Sequence, residues 1–225
     1  MVDFYFRDDG VARPGVVVAH GFSRDRRYMA GWGAVLAERG MVAAVPTQPF
    51  LAQHSKNANA LARLAESGLR GQWPMPLNGK IGLVGFSMGG LTTLTAAARM
   101  KAPAQAWVGL DPVDFEGMGG RLAEKVTTPG LVLLAEPAPF NLQGNARTMI
   151  KGYAGPLAVL KVKGACHLDP ESPVDLLGQL ACGWVDAGRQ ALFRETAVSF
   201  LEEVMLGRKR AQKQADGLVT VRVQE

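Results

Sequence analysis

A serine with the surroundings of a nucleophile lies in the motif Gly85-Phe86-Ser87-Met88-Gly89. The apolar run 80–84 before the motif predicts a strand, and residues 90–100 after it predict a helix. A strand, G-x-S-x-G and a helix in this order indicate a sharp turn that exposes the serine hydroxyl. Glycine is expected on both sides because the tight turn leaves little room for a side chain. These residues therefore predict nucleophilic chemistry at Ser87.

A serine hydroxyl needs a neighbouring base, because its own pKa is too high for it to attack unaided. On such turns the acid and then the base follow the serine along the chain. The sequence contains three histidines, of which His167 alone comes after Ser87. It follows the apolar run 157–162, so we expect it on a loop just beyond a buried strand. His20 precedes the serine, and we expect it to hydrogen-bond the backbone of its own turn.

Three carboxylates compete for the role of the acid that orients His167. Asp111 directly follows the apolar run 106–110 and is the favoured candidate, because it lies at a strand end between the serine and the histidine. Asp114 lies three residues further along the same loop. Glu136 ends the next apolar run, 130–135, and remains an alternative.

Two main-chain amides are expected to stabilise an oxyanion. Met88 follows the serine at a helix N terminus, where unpaired N–H groups and the positive end of the helix dipole favour negative charge. The second donor should come from the loop after an earlier strand. The apolar run 16–19 followed by His20, Gly21 and Phe22 fits that loop, so the amide of Phe22 is the expected donor.

Apolar runs alternate with helical segments along most of the chain. The predicted strands are 16–19, 41–45, 81–84, 106–110, 131–135 and 157–162, and the predicted helices are 29–39, 57–67, 90–100, 146–153, 173–187 and 191–206. Continuous apolar strands separated by helices indicate an α/β fold with a mostly parallel sheet covered on both faces. Ligands bind such sheets at the carboxyl ends of the strands, where Ser87, Asp111, His167 and Phe22 are all predicted. Segments 4–6 and 218–223 also have strand-like patterns, and their place is left open.

Length and composition limit the other classes of function. The 225 residues with 48% apolar content predict one α/β domain spanning 1–225, with a minimal lid or none.

The net charge of +5 is spread out apart from Arg208-Lys209-Arg210 and Lys213, which we expect to cap the preceding helix. No nucleic-acid motif accompanies that cluster, so no nucleic-acid partner is predicted. No apolar run approaches the roughly 20 residues of a membrane span, which predicts a soluble chain without stable membrane insertion. Oligomeric state is left open.

Two cysteines, Cys166 and Cys182, could form a disulfide that ties the His167 loop to the following helix. Such a bridge would contribute roughly 3 kcal/mol on the chain-entropy account. Free thiols would favour a cytoplasmic protein, and a bridge would favour an exported one whose leader has been removed. No cluster of residues has the spacing of metal ligands, so neither a metal nor a cofactor is expected.

The serine motif, the late histidine and the alternating strands resemble the α/β-hydrolase superfamily, from about residue 15 to residue 207. Within it, Asp111-Pro112-Val113-Asp114 looks like the acid motif of chlorophyllases, which also carry a late His-x-Asp, here His167 and Asp169. Chlorophyllases typically have His and Arg beside the serine, where this chain has Phe86 and Met88. That pattern is similar to the dienelactone hydrolase, lipase, cutinase and polyester-hydrolase group. Strict dienelactone hydrolases use cysteine at the position of Ser87.

The resemblance implies a serine carboxylesterase that works through an acyl-enzyme without a cofactor. Apolar residues near the catalytic loops favour a small-molecule or lipid-like ester with an apolar or aromatic acyl group. The candidate pocket residues are Phe22, Pro112, Val113, Phe115, Pro137 and Phe140. An amidase, peptidase or thioesterase would use the same three residues. A non-catalytic binding protein of the same fold is the remaining alternative.

Overall fold

The chain forms one eight-stranded sheet in a computed structural model that describes residues 1–208 and 217–221. The strands are β1 (Val2–Tyr5), β2 (Arg13–Ala19), β3 (Val42–Pro46), β4 (Leu77–Phe86), β5 (Ala106–Leu110), β6 (Gly130–Leu134), β7 (Leu157–Val162) and β8 (Leu218–Thr220). Their order across the sheet is β1-β3-β2-β4-β5-β6-β7-β8. β2 to β7 are parallel, while β1 and β8 join the two edges antiparallel. The α/β class with a mostly parallel sheet is therefore confirmed.

Helices cover the sheet on both faces. They are α1 (Ala30–Glu38), α2 (His54–Leu69), α3 (Met88–Ala97), α4 (Met118–Ala123), α5 (Arg147–Lys151), α6 (Leu176–Cys182) and α7 (Ala187–Leu206). α1 and α7 pack on one face, whereas α2, α3 and α5 pack on the other. Val16 and Val18 point into the first layer and Val17 into the second, all three fully buried. A strand between two helical layers must be apolar at every position, which explains the continuous runs of the sequence.

The main differences from the predicted elements lie outside the central strands. α2 begins at His54, three residues before its predicted start, and the short helix α4 was not predicted. α6 is shorter than the segment predicted there, and α7 begins at Ala187 rather than at residue 191. Asp186 caps α7 by accepting a hydrogen bond from the amide of Arg189, at 2.9 Å. This cap explains the earlier start.

Part of the predicted basic cluster lies outside the described residues. Arg208 is described, and it donates hydrogen bonds to Glu202 and to the carbonyl of Arg39. Lys209, Arg210 and Lys213 fall in the undescribed segment 209–216, and the end of the predicted strand 218–223 also falls outside. Of the helices within 1–208 and 217–221, none combines the length and apolar character of a membrane span.

Candidate active site

Ser87 is the single residue that links β4 to α3. Its backbone has φ +54°, in the left-handed region that side chains rarely adopt. Glycine is required on either side. A Cβ at Gly85 would collide with the backbone of Gly89 and with Thr93, and one at Gly89 would lie 2.5 Å from the carbonyl oxygens of Ala19 and His20. The close approach of α3 to β2 and β4 therefore explains both glycines of the motif.

Asp111, directly after β5, and His167, in the loop after β7, form a hydrogen-bonded row with Ser87. His167 Nε2 lies 2.9 Å from Ser87 Oγ, and His167 Nδ1 donates to Asp111 Oδ2 at 2.6 Å. All three side chains are buried, with exposed fractions of 6% or less. The ring of Phe86 packs against the imidazole, with centroids 4.9 Å apart. The structure thus brings together the serine, base and acid that the sequence suggested.

The two alternative acids make other contacts. Asp114 accepts hydrogen bonds from the amide of Gly119 at 2.8 Å and from Thr148 Oγ1 at 2.6 Å. Glu136 forms an ion pair with Lys161 and accepts from the amide of Gly164. Of the three candidate carboxylates, Asp111 is the one that contacts His167.

Asn141 holds Asp111 in place and was not identified from the sequence. Its Nδ2 donates to Asp111 Oδ2 at 3.0 Å and to the carbonyl of Glu136 at 2.8 Å. The amide of Ala135 donates to the other carboxylate oxygen at 2.9 Å. These two donors and His167 fix both oxygens of Asp111. A buried asparagine at the end of a single 3₁₀ turn has no local sequence signal that would have assigned it this role.

The loop that carries His167 is fixed by Asp169. Its carboxylate accepts from the amide of Cys166 at 2.8 Å, from the amide of Asp186 at 2.9 Å, and from Arg189 Nε at 2.7 Å. Trp32 Nε1 also donates to the carbonyl of Pro170 at 2.6 Å. The loop is therefore held between the start of α7 and α1, which restricts the imidazole of His167.

The two expected oxyanion donors, the amides of Phe22 and Met88, belong to residues that line one cleft. Neither amide donates a hydrogen bond to a residue within the described ranges. His20 shapes the turn before Phe22: its Nδ1 donates to the carbonyl of Gly21 at 2.8 Å, and its Nε2 accepts from the amide of Gln48 at 2.9 Å. Burial lowers the pKa of His20, which agrees with a neutral ring that donates with one nitrogen and accepts with the other.

A cleft that is lined in part by Met88, the residue after Ser87, has a volume of about 230 Å³; Ser87 and His167 themselves are not among its lining residues. Its walls come from the loop after β2 (20–24), the loop after β3, the first turn of α2, and Met88. Of the predicted pocket residues, Phe22 lines it, and the ring of Phe115 packs against His54 of its wall, with centroids 5.2 Å apart.

Four predicted pocket residues do not line this cleft. Pro112 and Val113 are buried, while Pro137 and Phe140 are exposed. These residues follow β5 and β6, which lie on the opposite side of β4 from β2 and β3. The cleft and these four residues thus lie on opposite sides of β4, and a substrate pocket lined by Pro112, Val113, Pro137 and Phe140 stays a prediction. The cleft residues Gln48, Phe50, Leu51, His54 and Asn57 were not identified from the sequence.

The disulfide that the cysteines suggested is not formed: Cys166 and Cys182 are both free thiols. The sulfur of Cys166 lies 3.6 Å from the carbonyl oxygen of Gly183 and 3.7 Å from that of Trp184, just beyond the end of α6. Burial raises the pKa of both thiols, so the reactive thiolate form is disfavoured near neutral pH.

Within the described part of the chain, no group of three His, Cys, Asp or Glu side chains could hold a metal ion.

Arg24 connects the Phe22 loop to the His167 loop. Its Nε donates to Glu171 Oε1 and its Nη1 to Asp175 Oδ2, both at 2.8 Å, while the guanidinium lies over the ring of Tyr28. Glu171 is 1% exposed, and its Oε2 has no hydrogen-bond partner among the described residues. Burial raises the pKa of Glu171 from 4.5 to about 7, against the opposing effect of Arg24.

This raised pKa predicts a pH-dependent contribution to stability. The folded state holds the Glu171 proton more tightly than the unfolded state, so the contribution is full below about pH 4.5 and is lost as the pH rises through about 7. Between pH 5 and pH 8, the wild type should therefore lose roughly 2 to 3 kcal/mol of unfolding free energy relative to Glu171→Gln. Urea unfolding of both proteins at the two pH values measures this difference. Equal losses in the two proteins would contradict it.

A comparison with curated proteins finds a relative, a bis(hydroxyethyl) terephthalate hydrolase of Streptomyces coelicolor. It is 27% identical over 186 residues, which cover 76% of this chain and 55% of the relative. The chain thus spans about half the length of the curated relative it matches. No family model matches the chain. In architecture the chain resembles the α/β-hydrolase superfamily, and in sequence it is similar, at modest identity, to a protein named for hydrolysing a terephthalate ester.

Proposed function

We propose that this protein is a serine hydrolase of carboxylic esters. The observation that carries the proposal is the continuous chain of hydrogen bonds from Ser87 through His167 to Asp111, with distances of 2.9 and 2.6 Å. A buried carboxylate that holds one imidazole nitrogen leaves the other to accept the serine proton. The relative named for terephthalate-ester hydrolysis supports an ester rather than another substrate of the same chemistry.

The reaction is acyl transfer in two stages. His167 takes the proton of Ser87 as the oxygen attacks the ester carbonyl, and the amides of Phe22 and Met88 stabilise the oxyanion. His167 then protonates the departing alcohol, which leaves an acyl group on Ser87. In the second stage His167 activates a water molecule that releases the acid, and Asp111 stabilises the imidazolium formed in both stages.

The cleft indicates the class of ester. Its apolar walls include Phe22, Phe50, Leu51 and Met88, and a volume of about 230 Å³ can hold a substituted aromatic ring. Esters of apolar or aromatic acids are therefore the proposed substrates. Long acyl chains should gain little once the cleft is filled.

A series of p-nitrophenyl esters of increasing acyl length, together with bis(hydroxyethyl) terephthalate, tests this function. We expect Ser87-dependent hydrolysis of the terephthalate ester and a maximum of kcat/KM at short acyl chains or at the benzoate. A matched p-nitroanilide serves as the comparison with amides. Faster Ser87-dependent cleavage of the anilide than of the esters would contradict the proposal and indicate an amidase.

A further inference from the structure

His54 is a buried polar side chain that lines the cleft without a hydrogen-bond partner. It is the first residue of α2 and is 7% exposed. Its ring packs against Phe115, but neither nitrogen makes a hydrogen bond to any residue in 1–208 or 217–221. Within the described ranges, the fully buried side-chain atoms that lack a partner are Arg26 Nε and Glu171 Oε2. The ring nitrogens of His54 are therefore accessible from the cleft, where a ligand can bind them.

Two polar side chains that line the same cleft are already engaged. Asn57 binds the backbone of Phe50 through both its side-chain oxygen, at 3.0 Å, and its side-chain nitrogen, at 2.6 Å. Gln48 donates to the carbonyl of His20 at 2.7 Å and accepts from Thr92 Oγ1 at 3.0 Å. These two side chains fix the shape of the cleft wall. His54, in contrast, has its hydrogen-bonding capacity free for a ligand.

His54 can both donate and accept a hydrogen bond. Burial lowers its pKa, and its position at the N terminus of a 16-residue helix also disfavours a positive charge. A neutral imidazole carries one N–H donor and one acceptor nitrogen. Such a ring suits an uncharged polar group, such as a hydroxyl or an ester carbonyl, better than an anion.

The cleft lies on the side of Ser87 away from His167, which indicates that it binds the acid portion of an ester. The departing alcohol must lie next to His167, because that residue protonates it. His167 follows β7, on one side of Ser87, whereas the cleft lies on the other side, among the loops after β2 and β3. The acyl group therefore extends from Ser87 past Phe22 and Met88 towards His54.

We propose that His54 is a specificity-determining residue that binds an uncharged polar group at the far end of an aromatic acyl group. This inference rests on the proposed function and adds the substrate class: esters of aromatic acids with a hydroxyl or a second ester opposite the scissile bond. Phe22, Phe50 and Met88 contact the ring, and His54 completes the site at its distal end.

A pair of esters with the same leaving group isolates this contact. Methyl 4-(hydroxymethyl)benzoate offers a hydroxyl at the distal position, and methyl 4-ethylbenzoate has a methyl group in its place. The ratio of their kcat/KM values should fall about tenfold from the wild type to His54→Phe, as expected for one lost hydrogen bond. His54→Phe keeps an aromatic ring against Phe115. His54→Gln retains a donor and an acceptor, so it should recover part of the ratio.

Binding of the same two esters to Ser87→Ala, with and without His54→Phe, measures the contact without turnover. Calorimetry should give a similar tenfold loss of affinity for the hydroxymethyl ester relative to the ethyl ester. An unchanged ratio in both measurements would overturn the role of His54, even if both esters are hydrolysed. If binding depends on His54 but the wild type hydrolyses neither ester, the proposed function fails while the binding site stands.

Discussion

Ser87→Ala is expected to lower the kcat for p-nitrophenyl ester hydrolysis by roughly 10⁴- to 10⁶-fold. The loss should be this large because no other group can form the acyl intermediate in place of the serine oxygen. Folding should be unaffected, since alanine keeps the Cβ that already occupies this turn and removes only the hydroxyl group that is hydrogen-bonded to His167. Turnover measured alongside thermal unfolding checks both statements. Wild-type turnover in the variant would place the nucleophile elsewhere.

Asp111→Asn should lower kcat by roughly three to four orders of magnitude. The neutral amide can no longer stabilise the imidazolium of His167, and its NH₂ group would face the donors that now reach the carboxylate from Ala135 and Asn141. His167 would then adopt the wrong tautomer for accepting the serine proton. The pH dependence of kcat for wild type and variant provides the measurement.

Glu136→Gln is the matched control for this prediction. The substitution is equally conservative, and it affects a carboxylate that pairs with Lys161 on the neighbouring strand rather than with His167. Its kcat should stay within a few-fold of the wild type. A larger loss in Glu136→Gln than in Asp111→Asn would assign the acid to the loop after β6.

The sequence predicted the central sheet and the proximity of Ser87, Asp111 and His167 for the same reason. Strands buried on both faces are continuous apolar runs, and the residues that follow them meet at one edge of a parallel sheet. Ser87 and Asp111 each stand directly after such a run, so their approach could be inferred without tertiary information. The short edge strands β1 and β8 could not be placed, because a pattern of three or four residues does not identify its pairing partner.

The cleft residues could not be predicted, because tertiary contacts that have no local sequence pattern bring them together. Its wall after β3 is held by Asn57, which binds the backbone of Phe50 across seven residues. The helix containing His54 was expected to begin three residues later, which left that histidine on an unassigned loop. Apart from Phe22, the predicted pocket residues therefore lie on the side of β5 and β6, near the acid, whereas this cleft lies on the side of β2 and β3.

Labelling with a fluorophosphonate probe, followed by peptide mass spectrometry, tests the central claim most directly. Such a probe reacts with a serine that a neighbouring base activates, so the labelled residue identifies the nucleophile without any assumption about the natural substrate. We expect one adduct per chain, located on Ser87, with labelling lost in Ser87→Ala and strongly slowed in His167→Ala. A stoichiometric adduct on another serine, or equal labelling of Ser87→Ala, would contradict the account.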